Sequence, residues 1–172
     1  MSTLTRPGTD EAAPYYFKYI DRVPGDDVVG VLTDQLEQAP KFWGAITEDK
    51  SRHRYEPGKW SIREALAHVS DTERVFQFRT FWFARGFEAP LPSFDQDTAA
   101  GSALAHERPL ASLLDEFLAV RRSTLALVRS LPEEAWSRRG TASGNPFTAR
   151  GMVFVTAGHA AHHVAVVRER YL

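Results

Sequence analysis

Four runs of apolar residues at helical spacing, with no alternating strand-like run among them, most constrain what this 172-residue chain can fold into. The first places Val28, Val31, Leu32, Leu36 and Ala39 on one face behind Asp26 or Asp27 as N-cap. Pro40 removes an internal hydrogen bond and should end or kink it, yet Phe42, Trp43 and Ile46 carry the pattern on. The link Ser51 to Lys59, with Pro57-Gly58, reads as a turn. The second run opens with Ser61 and Glu64, a capping-box pair, continues through Ile62, Leu66, Val69, Val75, Phe76, Phe78 and Trp82, and should stop at Gly86. The third starts from Pro109 as first helical residue and holds Leu110, Leu113, Leu114, Phe117, Val120, Leu125 and Val128. The fourth runs from a Thr148 cap to Tyr171. Four such faces close around a single core, so the sequence predicts an all-α fold, an up-and-down four-helix bundle with long connections.

Two of those connections stand out. Phe87 to Arg108 is long enough to fold over a site or a partner, and Ser137 to Phe147 reads as a polar loop after a short turn at Pro132–Trp136. Residues 1–25 carry Pro7, Pro14 and Pro24 with the cluster Tyr15-Tyr16-Phe17, which predicts an extended N-terminal arm whose aromatics dock on a bundle domain of residues 26–172.

Composition narrows the chemistry. Lys plus Arg number 21 and Asp plus Glu 22, so the surface is not tuned for nucleic acid or an anionic membrane. No run of 18 apolar residues exists, and Met1 to Asp10 lacks the basic start and apolar stretch of a signal peptide; the expected compartment is the cytoplasm. With no cysteine there is no disulfide, no thiolate-ligated zinc and no cysteine nucleophile. Histidine and carboxylates are then the strong metal ligands available. No phosphate-binding glycine loop, dinucleotide fingerprint or Ser-His-Asp context is present.

The segment Gly158-His159-Ala160-Ala161-His162-His163 sets His159 and His163 one helical turn apart on one face, where two imidazoles can converge on one ion. His162 could chelate with His159 at three-residue spacing instead. However, Val153, Ala157, Ala160, Val164 and Val167 mark the core stripe, and His163 lies beside it while His162 points further toward solvent, which favours His163 and makes His162 a rim residue, a substrate contact or proton carrier. A third imidazole, His68, stands among Leu66, Ala67 and Val69. Buried imidazoles need hydrogen bonds or a metal, since an unsatisfied polar group costs about 1–3 kcal/mol. His53 and His106 fall in loops and carry no special role. Asp71, one turn beyond His68, is a candidate to accept its other N–H, and reads equally as a solvated carboxylate on the helix face. Glu73 with Arg74 reads as surface pairing, and the four tryptophans as core or junction packing, with Trp82 or Phe87 as a pocket wall. Arg79, Arg121, Arg122 and Arg150 are candidates for a substrate carboxylate, although helix arginines mostly face water.

Several of these segments occur in a recognisable order. Tyr55-Glu56-Pro57-Gly58-Lys59-Trp60-Ser61-Ile62-Arg63-Glu64, Ala67-His68-Val69, Asp71-Thr72-Glu73-Arg74, Phe81 to Arg85, Pro90-Leu91-Pro92-Ser93-Phe94 and the stretch from Gly158-His159 to Leu172 together resemble the DinB-like family of four-helix metal-binding proteins. The resemblance spans about residue 26 to the end. It implies a DinB-like bundle, frequent homodimers and a divalent metal, commonly zinc or nickel, held by His68, His159 and His163. It also implies relatives that include thiol-dependent S-transferases and a thiol-dependent maleylpyruvate isomerase.

An open site of three neutral imidazoles supports two expectations. The first is a metal-dependent enzyme, a transferase or hydrolase, acting with zinc, nickel or manganese and using a bound low-molecular-weight thiol or water on a small electrophile. The alternative is a non-catalytic, dimeric metal-binding bundle, a stress-associated binding or scaffold protein. No catalytic base is identifiable from the sequence.

Overall fold

The computed structural model describes residues 5–172 and contains α1 (Phe17–Ile20), α2 (Val28–Trp43), α3 (Glu48–Ser51), α4 (Ile62–Ala84), α5 (Gln96–Ser102), α6 (Leu110–Arg129), β1 (Arg139–Ala142), β2 (Asn145–Thr148) and α7 (Ala149–Arg170). The long helices α2, α4, α6 and α7 form the expected four-helix bundle. Their caps follow the sequence closely: the Asp27 carboxylate accepts from the Gly30 N–H, Ser61 and Glu64 complete both bonds of a capping box, and the Thr148 hydroxyl accepts from the Gly151 N–H. Gly86, at φ 79°, takes the left-handed conformation that closes α4. Pro109 sits one position earlier than expected, at the N-cap of α6.

Helical spacing does not specify which helices touch. The principal packing sets α4 against α7 and α6, and α2 against α6 and α7. Helices consecutive in the chain, α2 with α4 and α6 with α7, therefore face each other across the bundle diagonal, and residues 44–61 and 130–148 make those crossings. No helix among the described residues is long and apolar enough to cross a membrane.

Four local expectations need correction. α2 continues through Pro40 to Trp43 as one helix: the proline forfeits the single bond it cannot donate, and Gly44 N–H still closes the last turn on the Pro40 carbonyl. The stretch around Ser137–Phe147 is not a loop but an antiparallel β1–β2 hairpin, turned by Ser143 and Gly144 at φ 53° and 71°. Two successive residues with positive φ match the right-handed strand twist, which a two-residue turn requires. The segment 87–108 contains α5, packs on α4, and ends where Arg63 Nη1 donates to the Arg108 carbonyl at 2.9 Å. Finally, Pro14–Ile20 is helical rather than extended: a 3-10 turn leads into α1, which packs on α7. Gly158 makes that packing possible, since a Cβ there would lie 2.0 Å from the Tyr19 carbonyl oxygen.

The core falls into two clusters. One gathers Ile20, Phe76, Phe83, Phe147, Met152, Phe154, Val155 and Ala157, and the other Trp43, Ile62, Leu66, Val69, Leu113, Phe117, Ala160 and Val167. Along both α4 and α7 the change from one to the other occurs beside the histidines, so His68 and His159 stand at the seam.

Candidate metal centre

α4 supplies His68 and α7 supplies His159 and His163, and one ring nitrogen from each lies within 4.8 Å of the others. His159 is central. Its Nε2 is 3.2 Å from Nε2 of His68 and 3.2 Å from Nε2 of His163. Ligand nitrogens about 2.0–2.1 Å from a tetrahedral ion stand about 3.3–3.4 Å apart, so this spacing suits a divalent metal. His159 Nε2 faces two nitrogens but carries only one proton or one lone pair, so with all three rings neutral it can make a well-directed hydrogen bond to only one of them. A shared cation resolves that conflict, and imidazole donors suit zinc and nickel.

His68 and His159 are buried and His163 is half-buried. Burial lowers the His68 pKa to about 4, and burial with the neighbouring imidazoles lowers that of His163 to about 3. His159 moves well down for the same reasons, burial first and then the charges of His163 and His68. All three are thus neutral, the state that binds metal, at physiological pH. Because the folded pKa values lie below the ordinary histidine value, the folded state binds fewer protons than the unfolded chain. Their stabilising contribution is complete above about pH 6.5 and is lost as pH falls through about 4. For His68 this amounts to on the order of 3 kcal/mol. The metal-free protein should melt at progressively lower temperature from pH 6.5 to pH 4, and His68→Gln should flatten that dependence; an unchanged slope would show that the ring is not held neutral by the fold.

The partners of the rings differ in part from those expected. Asp71 does not meet His68: it pairs with Arg74 at 3.0 Å, and its pKa is raised chiefly by burial. Thr72, a full turn beyond His68 where the side chain overhangs the ring, places Oγ1 3.3 Å from Nδ1. When Nε2 serves as a metal ligand, Nδ1 carries the proton, and that hydroxyl is placed to accept it and so hold the tautomer. His162 stands outside the triad, half-exposed, with Tyr19 edge-on at 5.5 Å.

The walls also come from unexpected places. The Trp60 ring lies 4.5 Å from His68, Tyr19 lies 5.3 Å from His159, and Phe76 lies 5.7 Å from it. Trp82 instead stacks on Phe87 at 4.2 Å, and none of these ring contacts comes from 87–108. Trp60 immediately precedes the Ser61 cap of α4, which brings its indole within reach of His68 two turns on; that proximity was the one available signal. Glu73 is not on the surface with Arg74 but buried against Arg121.

This helix order and this cluster define a known class. The DinB superfamily matches residues 32–167, and the chain belongs to that superfamily. Among solved structures it resembles YfiT from Bacillus subtilis, a probable metal-dependent hydrolase with an unusual four-helix bundle topology, at 17% identity and a TM-score of 0.68, covering 95% of this chain and 89% of YfiT. It also resembles a mycothiol-dependent maleylpyruvate isomerase, at 15% identity and a TM-score of 0.68, covering 85% of this chain and 61% of the isomerase. The chain thus spans about three fifths of that protein. No significant match is found among curated proteins.

Proposed function

We propose that this protein is a metal-dependent enzyme in which His68, His159 and His163 hold a divalent ion, zinc or nickel before manganese, and which activates a low-molecular-weight thiol or water against a small electrophile. The observation that carries this reading is the convergence of three buried or half-buried imidazoles, kept neutral by the fold, with no carboxylate in the cluster. A divalent ion held there supplies Lewis acidity, and three neutral ligands leave its charge available to stabilise hydroxide or thiolate. The residues of the chain do the rest. Thr72 orients His68, Trp60 and Tyr19 exclude water from one side of the cluster, and His162 at the rim stands where a proton can be taken up or released. The names of the two structural neighbours, a metal-dependent hydrolase and a thiol-dependent isomerase, agree with both nucleophiles. The chain lacks cysteine, so any thiolate comes from a cosubstrate.

The test is metal analysis of protein purified without a nickel column, followed by a screen of small electrophiles with several thiols, or with water, in the presence of zinc, nickel or manganese. Stoichiometric metal and a rate that depends on the histidines support the proposal. Metal without any such rate favours the non-catalytic binding or scaffold reading.

We further propose a homodimer. Phe78, Phe81 and Phe87 leave an exposed aromatic surface around Trp82 at one end of α4, and a second copy would cover it. Sedimentation across micromolar concentrations should give the dimer mass, and Phe78→Asp should shift it toward monomer; a wild-type monomer throughout would reject the proposal.

A further inference from the structure

Three arginines are buried among the described residues, and two of them meet a carboxylate: Arg63 with Glu48 and Arg121 with Glu73. The half-buried Arg150 likewise pairs with Glu11. Arg79, only 4% exposed, has no carboxylate partner among the described residues. Its Nη2 donates to the Pro92 carbonyl at 3.0 Å and to Ser143 Oγ at 2.9 Å, both neutral acceptors. Nε and Nη1 donate to no atom of the described residues, yet no fully enclosed side-chain nitrogen among them lacks a partner, so these two donors open onto solvent-accessible space. A buried cation with two free donors and no counter-charge is an incomplete ion pair.

Its position gives the missing anion a context. His68, Thr72, Val75 and Arg79 follow one another at spacings of four, three and four residues, a single stripe along α4. Between the ends of that stripe Val75 is only half-buried. The helical rise puts Arg79 about 16 Å beyond His68 along the axis, and a helix side chain leans back toward the N-terminus, which leaves on the order of 10 Å between guanidinium and imidazole cluster. One hydroxyl meets the guanidinium, and a second stands by the same hairpin. Ser143 presents Oγ from the positive-φ turn, and Tyr16, whose ring packs edge-on against Phe147 of β2 at 4.8 Å, has a phenol that makes no hydrogen bond among the described residues and feels the Arg79 charge. A single planar guanidinium matches a monoanionic, planar carboxylate better than a phosphate dianion.

We infer that Arg79, with the Tyr16 and Ser143 hydroxyls, forms a subsite for the carboxylate of an elongated small molecule whose other end reaches the three histidines. This rests on the metal-dependent reading proposed above, and it specifies the substrate class: a carboxylic acid whose reacting group lies on the order of 10 Å from the carboxylate.

The test uses the full chain loaded with cobalt, whose absorption spectrum reports on the metal end. Straight-chain dicarboxylates from succinate to sebacate are titrated beside monocarboxylates of equal length. Affinity should peak at an intermediate length and exceed that of the matched monocarboxylate at least ~10-fold. Arg79→Gln should abolish the excess while leaving the ligand-free cobalt spectrum unchanged, and Arg79→Lys should keep part of it. An equal excess in folded Arg79→Gln would overturn the subsite. If that variant does not fold, Tyr16→Phe serves, with a loss of about threefold or more expected and no loss overturning the assignment. A metal-free arm separates the two readings: the Arg79 Nε–H resonance of the metal-free protein should shift saturably with propionate and less with inorganic phosphate. That response without any cobalt binding would sink the metal reading and keep the anion site. Silence toward propionate, or tighter binding of phosphate, would overturn the carboxylate subsite even in a protein that holds metal.

Discussion

His159→Ala should strip the protein of its divalent metal and of every histidine-dependent rate, while far-ultraviolet circular dichroism still reports the helical bundle. The reason is geometric. His159 Nε2 lies 3.2 Å from Nε2 of both other rings, so its loss removes the ligand nitrogen nearest to each of the other two. Metal affinity should fall at least ~100-fold, more than loss of an outer hydrogen-bond partner produces. His163→Ala should act in the same direction. His162→Ala should change affinity less than about threefold, because that ring stands outside the triad against Tyr19. Thr72→Val should weaken binding by about 10-fold through loss of the acceptor at His68 Nδ1. Equilibrium dialysis against zinc, with competing chelator, measures all four. Strong loss in His162→Ala with retention in His163→Ala would mean that the chelating pair is His159 with His162.

The largest effect on stability is expected from Glu73→Ala. Glu73 is 2% exposed and Arg121 fully buried; Arg121 Nε and Nη2 donate to the two carboxylate oxygens at 2.7 and 2.8 Å. The same guanidinium also donates to the Gln35 side chain, so one charge pair ties α4, α6 and α2 together. Removing the carboxylate leaves an uncompensated buried cation, which costs about 3–5 kcal/mol. Urea denaturation of the metal-free protein should show that loss as a lower midpoint with an unchanged slope. Replacing both partners with methionine should be far less damaging, since the desolvation penalty disappears with the charges. A loss under about 1 kcal/mol for Glu73→Ala would mean that water enters the seam between these helices and solvates Arg121.

The contrast between Glu73 and Asp71 shows where sequence reasoning reaches its limit. Both precede Arg74 within one turn of α4, and local spacing offers Arg74 as the ion-pair partner of either. They lie on different faces of the helix, and α6 decides what each meets: Arg121 enters the core opposite Glu73, while Arg74 turns outward to Asp71 and Glu116. The same limit applies at His68. Spacing made Asp71 a candidate partner, but it is the Thr72 side chain, leaning back from the following turn, that overhangs the ring.

What the sequence determined by itself is what short-range chemistry dictates. The four long helices, their caps at Asp27, Ser61 and Thr148, and the placing of His159 and His163 on one helix face follow from interactions that span no more than a turn. The DinB-like order of segments pointed to His68 as well. The tertiary structure decided what depends on contacts between distant residues. It set consecutive helices across the diagonal, folded the N-terminal segment into a helix seated at Gly158, and turned a polar stretch into a hairpin through Ser143 and Gly144. It also walled the histidines with Trp60 and Tyr19 and left Arg79 buried with no carboxylate partner among the described residues, because burial and charge pairing depend on which surface arrives opposite a residue, and helical periodicity carries no record of that.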